Sequence, residues 1–279
     1  MDFMNIISAV LALGIMGLVL AAILAVASKV FEVKTDERVG KICDVLPGAN
    51  CGGCGYAGCS NLAAEIVAGN APIYACTVGG HDVSSKIAEI MGVSDDAPLV
   101  RTVAHVACRG GDNAKKKFQY VGLTDCLAAK KVAGGPTQCK YGCIGLGTCV
   151  KACPFGAIDI YHGVAVVKAD QCKACGKCIS ACPQGLISLV SYAQDVFVSC
   201  SNHDKGAQLR QFCNIGCIGC RLCVKACPTG AISVDDNLAH IDYALCTNCG
   251  ACAKACPRKL IVNASEVTSE NAAELAKNN

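Results

Sequence analysis

The chain has 279 residues, a formal net charge of +3 at neutral pH and 25 cysteines. This length allows two or three modest domains, and the small net charge without a basic domain argues against nucleic-acid binding. Tryptophan is absent and aromatic residues make up 5% of the chain, so a large apolar core is excluded and bound metal is expected to contribute to folding.

The spacing of the cysteines favours metal ligands over disulfides. A high cysteine content is typical of short secreted disulfide scaffolds. Here the pattern C-x2-C-x2-C-x3-C-P occurs three times in a long chain, at residues 172–183, 217–228 and 246–257. In bacterial ferredoxins with this pattern, the fourth cysteine binds the other cluster. Thiolates that bind metal must stay reduced, which favours the cytosolic side of a membrane.

The N-terminal segment predicts a membrane-spanning helix. Residues 3–28 contain no charged residue, and a helix of this length exceeds the thickness of the hydrocarbon core. A cleaved secretory signal is the alternative, because residues 25–27 resemble a cleavage site, but no Lys or Arg precedes the apolar run. Four basic residues follow it and place the rest of the chain in the cytoplasm by the positive-inside rule: Lys29, Lys34, Arg38 and Lys41.

After a short charged connector at residues 32–41, a glycine-rich loop supplies four cysteines in the spacing C-x2-C-x4-C-x16-C. This spacing predicts a self-contained [4Fe-4S] site, with zinc as the main alternative. The predicted ligands are Cys51, Cys54, Cys59 and Cys76. Helices are predicted over residues 60–68 and 83–91, and a strand over 99–107 that carries His105, interpreted as a structural residue.

Residues 101–140 are locally basic, with eight Lys or Arg against Asp112 and Asp125. We interpret this segment as a solvated linker face. The alternative is a docking patch for an acidic electron donor, centred on the consecutive Lys115, Lys116 and Lys117, which would raise the encounter rate and make it salt-dependent.

Two homologous units follow from residue 138, and their cysteines recur with an offset of 74 positions. Within each unit the two halves are offset by 29 positions, as in a duplicated ferredoxin. Each half continues into a short apolar strand, at residues 158–160, 187–190, 232–234 and 261–262.

The exchange of the fourth cysteine between halves predicts four further ligand sets. In the first unit Leu146 replaces a cysteine of the pattern, and we take Cys139 as its replacement. The sets are Cys139, Cys143, Cys149 and Cys182; Cys153, Cys172, Cys175 and Cys178; Cys217, Cys220, Cys223 and Cys256; and Cys227, Cys246, Cys249 and Cys252. In the second unit, Cys213 is an alternative ligand to Cys220 because it sits where Cys139 does.

Five cysteines remain outside these sets: Cys43, Cys108, Cys126, Cys200 and Cys213. We interpret most of them as small buried hydrophobic residues, and no spacing among them supports a sixth cluster. We therefore expect five [4Fe-4S] clusters on twenty cysteines. No residue is identified for acid–base or nucleophilic catalysis.

The expected fold is α+β, with an N-terminal transmembrane helix, a small iron–sulfur domain and two tandem 2[4Fe-4S] ferredoxin-like domains. The predicted boundaries are a transmembrane anchor at 1–29, a single-cluster 4Fe-4S domain at 30–80, a basic connecting segment at 81–136, ferredoxin-like domains at 137–195 and 196–263, and a C-terminal tail at 264–279.

Three features in this order resemble the B subunit of the Rnf complex: the predicted anchor, the CGGCGYAGC loop with Cys76, and the CKYGCIGLGTCVKACP run. The resemblance extends from the anchor to Pro257, although only some members have the second ferredoxin unit. It implies a component of a ferredoxin:NAD+ oxidoreductase of the cytoplasmic membrane that translocates Na+ or H+. This component would accept electrons from reduced ferredoxin and pass them to membrane subunits. Flavin and nicotinamide would be bound by partner chains, and no GxGxxG motif follows a strand here.

Two other functions are compatible with these residues. One is an anchored iron–sulfur subunit of another membrane oxidoreductase, such as a hydrogenase or a formate-linked enzyme. The other is a non-catalytic iron–sulfur carrier or sensor, although such proteins rarely need paired clusters in tandem. For a relay, we expect electrons to leave through the Cys51–Cys76 cluster, because its loop begins about twenty residues after the anchor.

Overall fold

The computed structural model describes residues 3–30, 36–94 and 100–263. Residues 32–35 of the predicted connector, which include Lys34, and the predicted tail at 264–279 lie outside these ranges. Helix α1 (Phe3–Val30) forms where the anchor is predicted. Within the described ranges it is the one helix long and apolar enough to cross a membrane, over Leu11–Ser28, and none of that stretch is buried by the rest of the chain.

Three helices form the single-cluster domain, which extends past the predicted boundary at residue 80 because its third helix packs into the same core: α2 (Glu37–Val45), α3 (Cys59–Val67) and α4 (Gly80–Met91). The predicted helices at 60–68 and 83–91 are confirmed as α3 and α4. Helix α2 begins inside the segment expected to be a connector, because Asp36 caps it by accepting a hydrogen bond from the backbone N–H of Arg38. The three helices pack around a small apolar core that includes Ile42, Leu62, Ile66 and Ile87.

The first ferredoxin-like unit contains two antiparallel strand pairs. Its strands are β1 (Thr102–Val106), β2 (Ile158–Tyr161), β3 (Val164–Val167) and β4 (Ile187–Ser191), with β1 paired to β4 and β2 to β3. Its helices are α5 (Cys126–Lys131), α6 (Thr148–Ala152) and α7 (Lys177–Ala181), with a 3-10 turn at Gly111–Asn113. Strand β1 confirms the strand predicted within 99–107, and it brings part of the 81–136 segment into this unit.

The second unit repeats this topology. Its strands are β5 (Val196–Val198), β6 (Ile232–Asp235), β7 (Leu238–Ile241) and β8 (Ile261–Asn263), with β5 paired to β8 and β6 to β7. Its helices are α8 (Gly206–Phe212), α9 (Leu222–Ala226) and α10 (Ala251–Ala255). The four predicted post-cysteine strands are all present, as β2, β4, β6 and β8.

The outer strand pairs of the two units pack against each other. Val103 and Val190 of the first unit form one buried cluster with Phe197 and Val262 of the second. The ring of His105 stacks on Phe197 with centroids 4.6 Å apart. Its Nε2 atom is buried with no hydrogen-bond partner among the described residues. His105 is therefore a structural residue of this interface, as predicted.

Burial lowers the pKa of His105 from 6.5 to about 4. Between these values the unfolded chain binds the proton and the folded chain does not, so this contribution to stability is lost as pH falls from about 6.5 towards 4. We predict that the free energy of unfolding falls between pH 7 and pH 5 by about 2 kcal/mol less in His105→Phe than in the parent. This variant keeps the stacked ring but has no group to protonate. Chemical denaturation at both pH values measures this difference.

The matched control is His240→Phe, since His240 is exposed on β7. That variant should lose as much unfolding free energy as the parent between the two pH values. Equal losses in His105→Phe and the parent would show that this imidazole does not stay neutral in the folded protein.

Candidate iron–sulfur cluster sites

The four cysteines of the single-cluster domain converge on one cavity. Cys51, Cys54, Cys59 and Cys76 line a volume of about 320 Å³. The side-chain oxygen of Asn50 accepts a hydrogen bond of 2.8 Å from the backbone N–H of Cys59, which fixes the first residue of α3 against the loop. Burial raises the pKa of the Cys76 thiol, and the neighbouring sulfurs of Cys59 and Cys54 raise it further. The structure therefore brings this predicted set together.

The first cavity of the first unit has an unexpected fourth cysteine. Cys126, Cys143, Cys149 and Cys182 line a volume of about 370 Å³, whereas Cys139 does not line it. Burial raises the pKa of Cys149 to about 12, with the sulfurs of Cys143, Cys126 and Cys182 adding to the shift. The structure thus places Cys126 where sequence reasoning expected Cys139.

Helix α5 explains how Cys126 reaches this position. Asp125 caps the helix by accepting a 2.7 Å hydrogen bond from the N–H of Ala128. The N–H of Cys126 in turn donates to the hydroxyl of Thr148 at 2.7 Å, which ties the start of α5 to the start of α6. Cys126 lies 17 residues before Cys143 and outside the repeat, so motif spacing could not identify it. The available signal in the sequence was the Asp125-Cys126 pair, which begins a short helix and lies opposite Thr148-Cys149 in the structure.

The second predicted set of the first unit is brought together. Burial raises the pKa of Cys178 to about 11, and the sulfurs of Cys172, Cys175 and Cys153 lie close enough to add to the shift. The backbone N–H of Ala104 on β1 donates to the Sγ of Cys172 at 3.4 Å. Because β1 comes from the 81–136 segment, this segment supplies part of the environment of the site.

In the second unit, one predicted set is brought together in full and three cysteines of the other lie close together. Cys217, Cys220, Cys223 and Cys256 line a cavity of about 330 Å³, and Cys213 does not. In the other set, burial raises the pKa of Cys252, and Cys227 and Cys246 lie close enough to contribute. Cys249, on the loop before α10, is exposed. The side-chain amide of Gln194 donates to the Sγ of Cys246 at 3.5 Å.

The short helices of the two units place the cysteines in the same way. Helices α6, α7, α9 and α10 each span five residues and follow a residue in the left-handed conformation. That residue is Gly147, Gly176 or Gly250 in three of them, where glycine adopts positive φ without a steric penalty, and Arg221 in the fourth. In α6 and α9 this sharp turn places the third cysteine of the run, Cys149 or Cys223, in the wall of a cavity.

A further cavity lies between the two units. Cys108, Cys139, Cys200 and Cys213 line it together with Cys143, and its volume is about 430 Å³. Burial raises the pKa of Cys108 to about 12 and that of Cys200 to about 11. Three of these cysteines were left without a ligand role by the sequence.

The sulfurs around these cavities are not arranged to share a single metal ion. A tetrahedral zinc site holds its sulfurs about 3.8 Å apart, as follows from Zn–S bonds of about 2.3 Å. Within the described ranges, no group of three or more His, Cys, Asp or Glu residues is arranged to hold one metal ion. Several sulfurs also accept backbone N–H hydrogen bonds, which is the usual environment of cluster thiolates.

The single-cluster loop packs directly on the first unit. A Cβ added at Gly53 would lie 2.8 Å from the carbonyl oxygen of Cys175, so only a glycine allows this approach. Burial raises the pKa of Cys175, and Cys51 is close enough to raise it further. The cavity of the single-cluster domain is therefore adjacent to the group formed by Cys172, Cys175 and Cys178.

Comparison with known proteins agrees with this arrangement. The model of a putative Fe-S cluster family matches residues 46–78, and two models of 4Fe-4S dicluster domains match residues 135–183 and 216–261. These matches include the single-cluster loop and the cysteine runs of both ferredoxin-like units. The α+β fold with one N-terminal apolar helix is confirmed, as is the presence of iron–sulfur domains.

Three relatives are similar over most of the chain. The B subunit of the Na+-translocating ferredoxin:NAD+ oxidoreductase complex of Acetobacterium woodii is 45% identical over 84% of this chain and 71% of its own length. The B subunit of the ion-translocating oxidoreductase complex of Methanosarcina acetivorans is 40% identical over 86% and 92%. The B subunit of the proton-translocating ferredoxin:NAD+ oxidoreductase complex of Clostridium ljungdahlii is 42% identical over 83% and 82%. The chain belongs to the family of B subunits of ion-translocating oxidoreductase complexes, the Rnf complexes.

Proposed function

We propose that this chain is the electron-transfer subunit of a membrane-bound ferredoxin:NAD+ oxidoreductase that translocates Na+ or H+. It would accept electrons from reduced ferredoxin and pass them to the membrane subunits of the complex. The names of the relatives from A. woodii and C. ljungdahlii support this activity. The observation that carries the proposal is the close contact between the loop of Gly53 and the backbone of Cys175, which joins the single-cluster domain to the ferredoxin-like units.

For the five expected clusters we propose the predicted ligand sets with one revision, in which Cys126 replaces Cys139. The shared cavity of Cys126, Cys143, Cys149 and Cys182 supports this revision. A [4Fe-4S] cluster held by four thiolates takes up and releases one electron. The chain itself supplies the thiolates, excludes water by burial, and donates hydrogen bonds to sulfur from the N–H of Ala104 and the amide of Gln194. Such donors favour the more negative reduced state and raise the reduction potential.

The two ends of the molecule suggest a direction. Cys220 and Cys249 in the second unit are exposed, so a soluble donor such as ferredoxin can approach these residues most closely. The Cys51–Cys76 site lies nearest in sequence to α1. We propose that electrons enter at the ferredoxin-like units and leave at this site, on the cytoplasmic side of the membrane. Arg38 and Lys41, exposed shortly after α1, support that orientation.

Removing one ligand of the exit site tests the direction. We predict that Cys54→Ala in the complete complex abolishes ferredoxin-driven NAD+ reduction, while dithionite still reduces the clusters of the ferredoxin-like units. The rate in membranes and the low-temperature EPR spectrum measure the two effects. Cys43→Ala is the control, since Cys43 lies in the same domain but does not line the cavity. An unchanged rate in Cys54→Ala would mean that electrons leave by another route.

The contact at Gly53 offers a milder test. We predict that Gly53→Ala pushes the loop away from Cys175 and slows ferredoxin-driven NAD+ reduction several-fold, with iron and sulfide contents unchanged. Gly40→Ala is the matched control, because a Cβ at Gly40 meets no atom within 4 Å. A normal rate at full cluster content would show that electron transfer does not depend on this contact.

The basic patch stays a proposal for ferredoxin docking. Lys115 and Lys116 are exposed beside the junction of the two units. We predict that Lys115→Glu with Lys116→Glu lowers the second-order rate with ferredoxin on the order of tenfold at low ionic strength, and that added salt removes the difference. Stopped-flow reduction measures the rate. Lys41→Glu with Lys86→Glu makes the same charge change on the single-cluster domain, and an equal loss there would argue against a specific patch.

A further inference from the structure

The cavity between the units joins cysteines that are far apart in sequence. Cys108 and Cys200 each lie two residues after the last residue of a strand, Val106 in β1 and Val198 in β5. Cys139 and Cys213 each lie four residues before the first cysteine of their unit's run. Each unit therefore contributes one cysteine of each kind, and the four meet at the junction of the two units.

The hydrogen bonds around these cysteines repeat with the same symmetry. The backbone N–H of Cys143 donates to the Sγ of Cys108 at 3.4 Å, and the N–H of Cys217 donates to the Sγ of Cys200 at 3.4 Å. The side chain of Asn202, itself buried, donates to the Sγ of Cys139 at 3.3 Å. Hydrogen-bond donors from both units point at these sulfurs. Such donors stabilise the anionic thiolate form of cysteine, which is the form that binds metal.

The backbone is also shaped around the sulfurs. A Cβ added at Gly110 would lie 3.6 Å from the Sγ of Cys108 and 3.9 Å from the Sγ of Cys213, so the two sulfurs flank one glycine. The N–H of Gly110 donates to the Sγ of Cys108 at 3.4 Å. This close approach of peptide N–H groups is the environment that an anionic cluster needs in place of water.

Positive charge lies beside the cavity. Arg109 lines it and donates to the carbonyl oxygen of Lys259 in the other unit at 2.8 Å. Arg258 donates to the carbonyl oxygen of Cys213 at 2.6 Å. Four thiolates around an iron–sulfur core leave a net negative charge, and these two arginines can balance it where water is excluded.

We propose that Cys108, Cys139, Cys200 and Cys213 bind a sixth [4Fe-4S] cluster, held jointly by the two ferredoxin-like units. Each neighbouring set shares its wall with this site, since Cys143 and Cys217 donate the hydrogen bonds to Cys108 and Cys200. The sixth site thus lies between the sites of the first unit and those of the second. The six sites then form one series that runs from the exposed Cys249 to Cys51. The proposal depends on the revised ligand set in one respect: Cys139 is available for the sixth cluster only because Cys126 takes its place in the first unit. It does not depend on the identity of the electron donor.

Metal analysis of the anaerobically purified full-length chain tests the proposal directly. We expect about 24 iron and 24 acid-labile sulfide atoms per chain, against about 20 for five clusters. A parent protein with about 20 of each, or with zinc in stoichiometric amount, would overturn the sixth site whether or not any variant folds.

Single variants then assign the ligands. Cys108→Ala and Cys200→Ala are each expected to lower the iron content by about four atoms and to remove one cluster's share of the integrated EPR signal of the reduced protein. Cys43→Ala is the control and should keep the parent's content, because Cys43 lines none of the described cysteine cavities. Unchanged iron in both Cys108→Ala and Cys200→Ala would refute the assignment.

A double variant separates this site from the revised set of the first unit. If Cys126 and Cys139 belong to different clusters, Cys126→Ala with Cys139→Ala loses about eight iron atoms, twice the loss of either single variant. A loss of about four in the double variant would mean that both residues serve one cluster, which would overturn the sixth site. That result would leave the proposed ferredoxin:NAD+ function standing, since it concerns only the number of clusters on this chain.

Discussion

The convergence of cysteine sulfurs on shared cavities is the constraint on which this fold depends. Helices α6, α7, α9 and α10 span five residues each, too few to be stable alone. The hydrophobic core of each unit consists largely of cysteines and of residues from the short apolar strands around them. Burial raises the pKa of several of these thiols, which keeps those sulfurs protonated unless metal binds them. Metal ligation therefore replaces the large side-chain core that the composition excludes.

The sites form a connected series because secondary structure is shared between them. Strand β1 pairs with β4 while its Ala104 N–H reaches Cys172, and the following residues lead to Cys108. The outer strand pairs pack on each other through Phe197 and its valine neighbours, which brings Cys108 and Cys200 to one cavity. At the other end, a glycine lets the single-cluster loop touch Cys175. Short distances between sites thus follow from backbone packing, and this is the property an electron-transfer subunit requires.

Sequence reasoning identified the regular features and missed those that depend on single residues. The runs before Pro183, Pro228 and Pro257 predicted their ligand groups because each repeats a complete pattern. The degenerate run at Leu146 is different, because Leu146 stands where the pattern has a cysteine and the repeat does not indicate which cysteine joins the group. Nearness in sequence predicts Cys139, but Cys139 faces the junction of the units, and Cys126 on α5 lines the cavity instead. Nearness in sequence is a poor guide where a loop reverses direction between two cysteines.

The amino-acid sequence alone determined the long N-terminal apolar helix, the α+β class, the duplicated units and most cysteine groups, because each of these follows from a local run of residue types or from a repeat. Only the tertiary structure decided that β1 belongs to the first unit, that Cys126 faces Cys143, and that four cysteines from both units meet at their junction. These pairings join residues 17 to more than 90 positions apart, as Cys126 to Cys143 and Cys108 to Cys200 illustrate. No local spacing encodes such contacts, since they arise when two strand pairs bury their apolar faces against each other and carry the following cysteines with them.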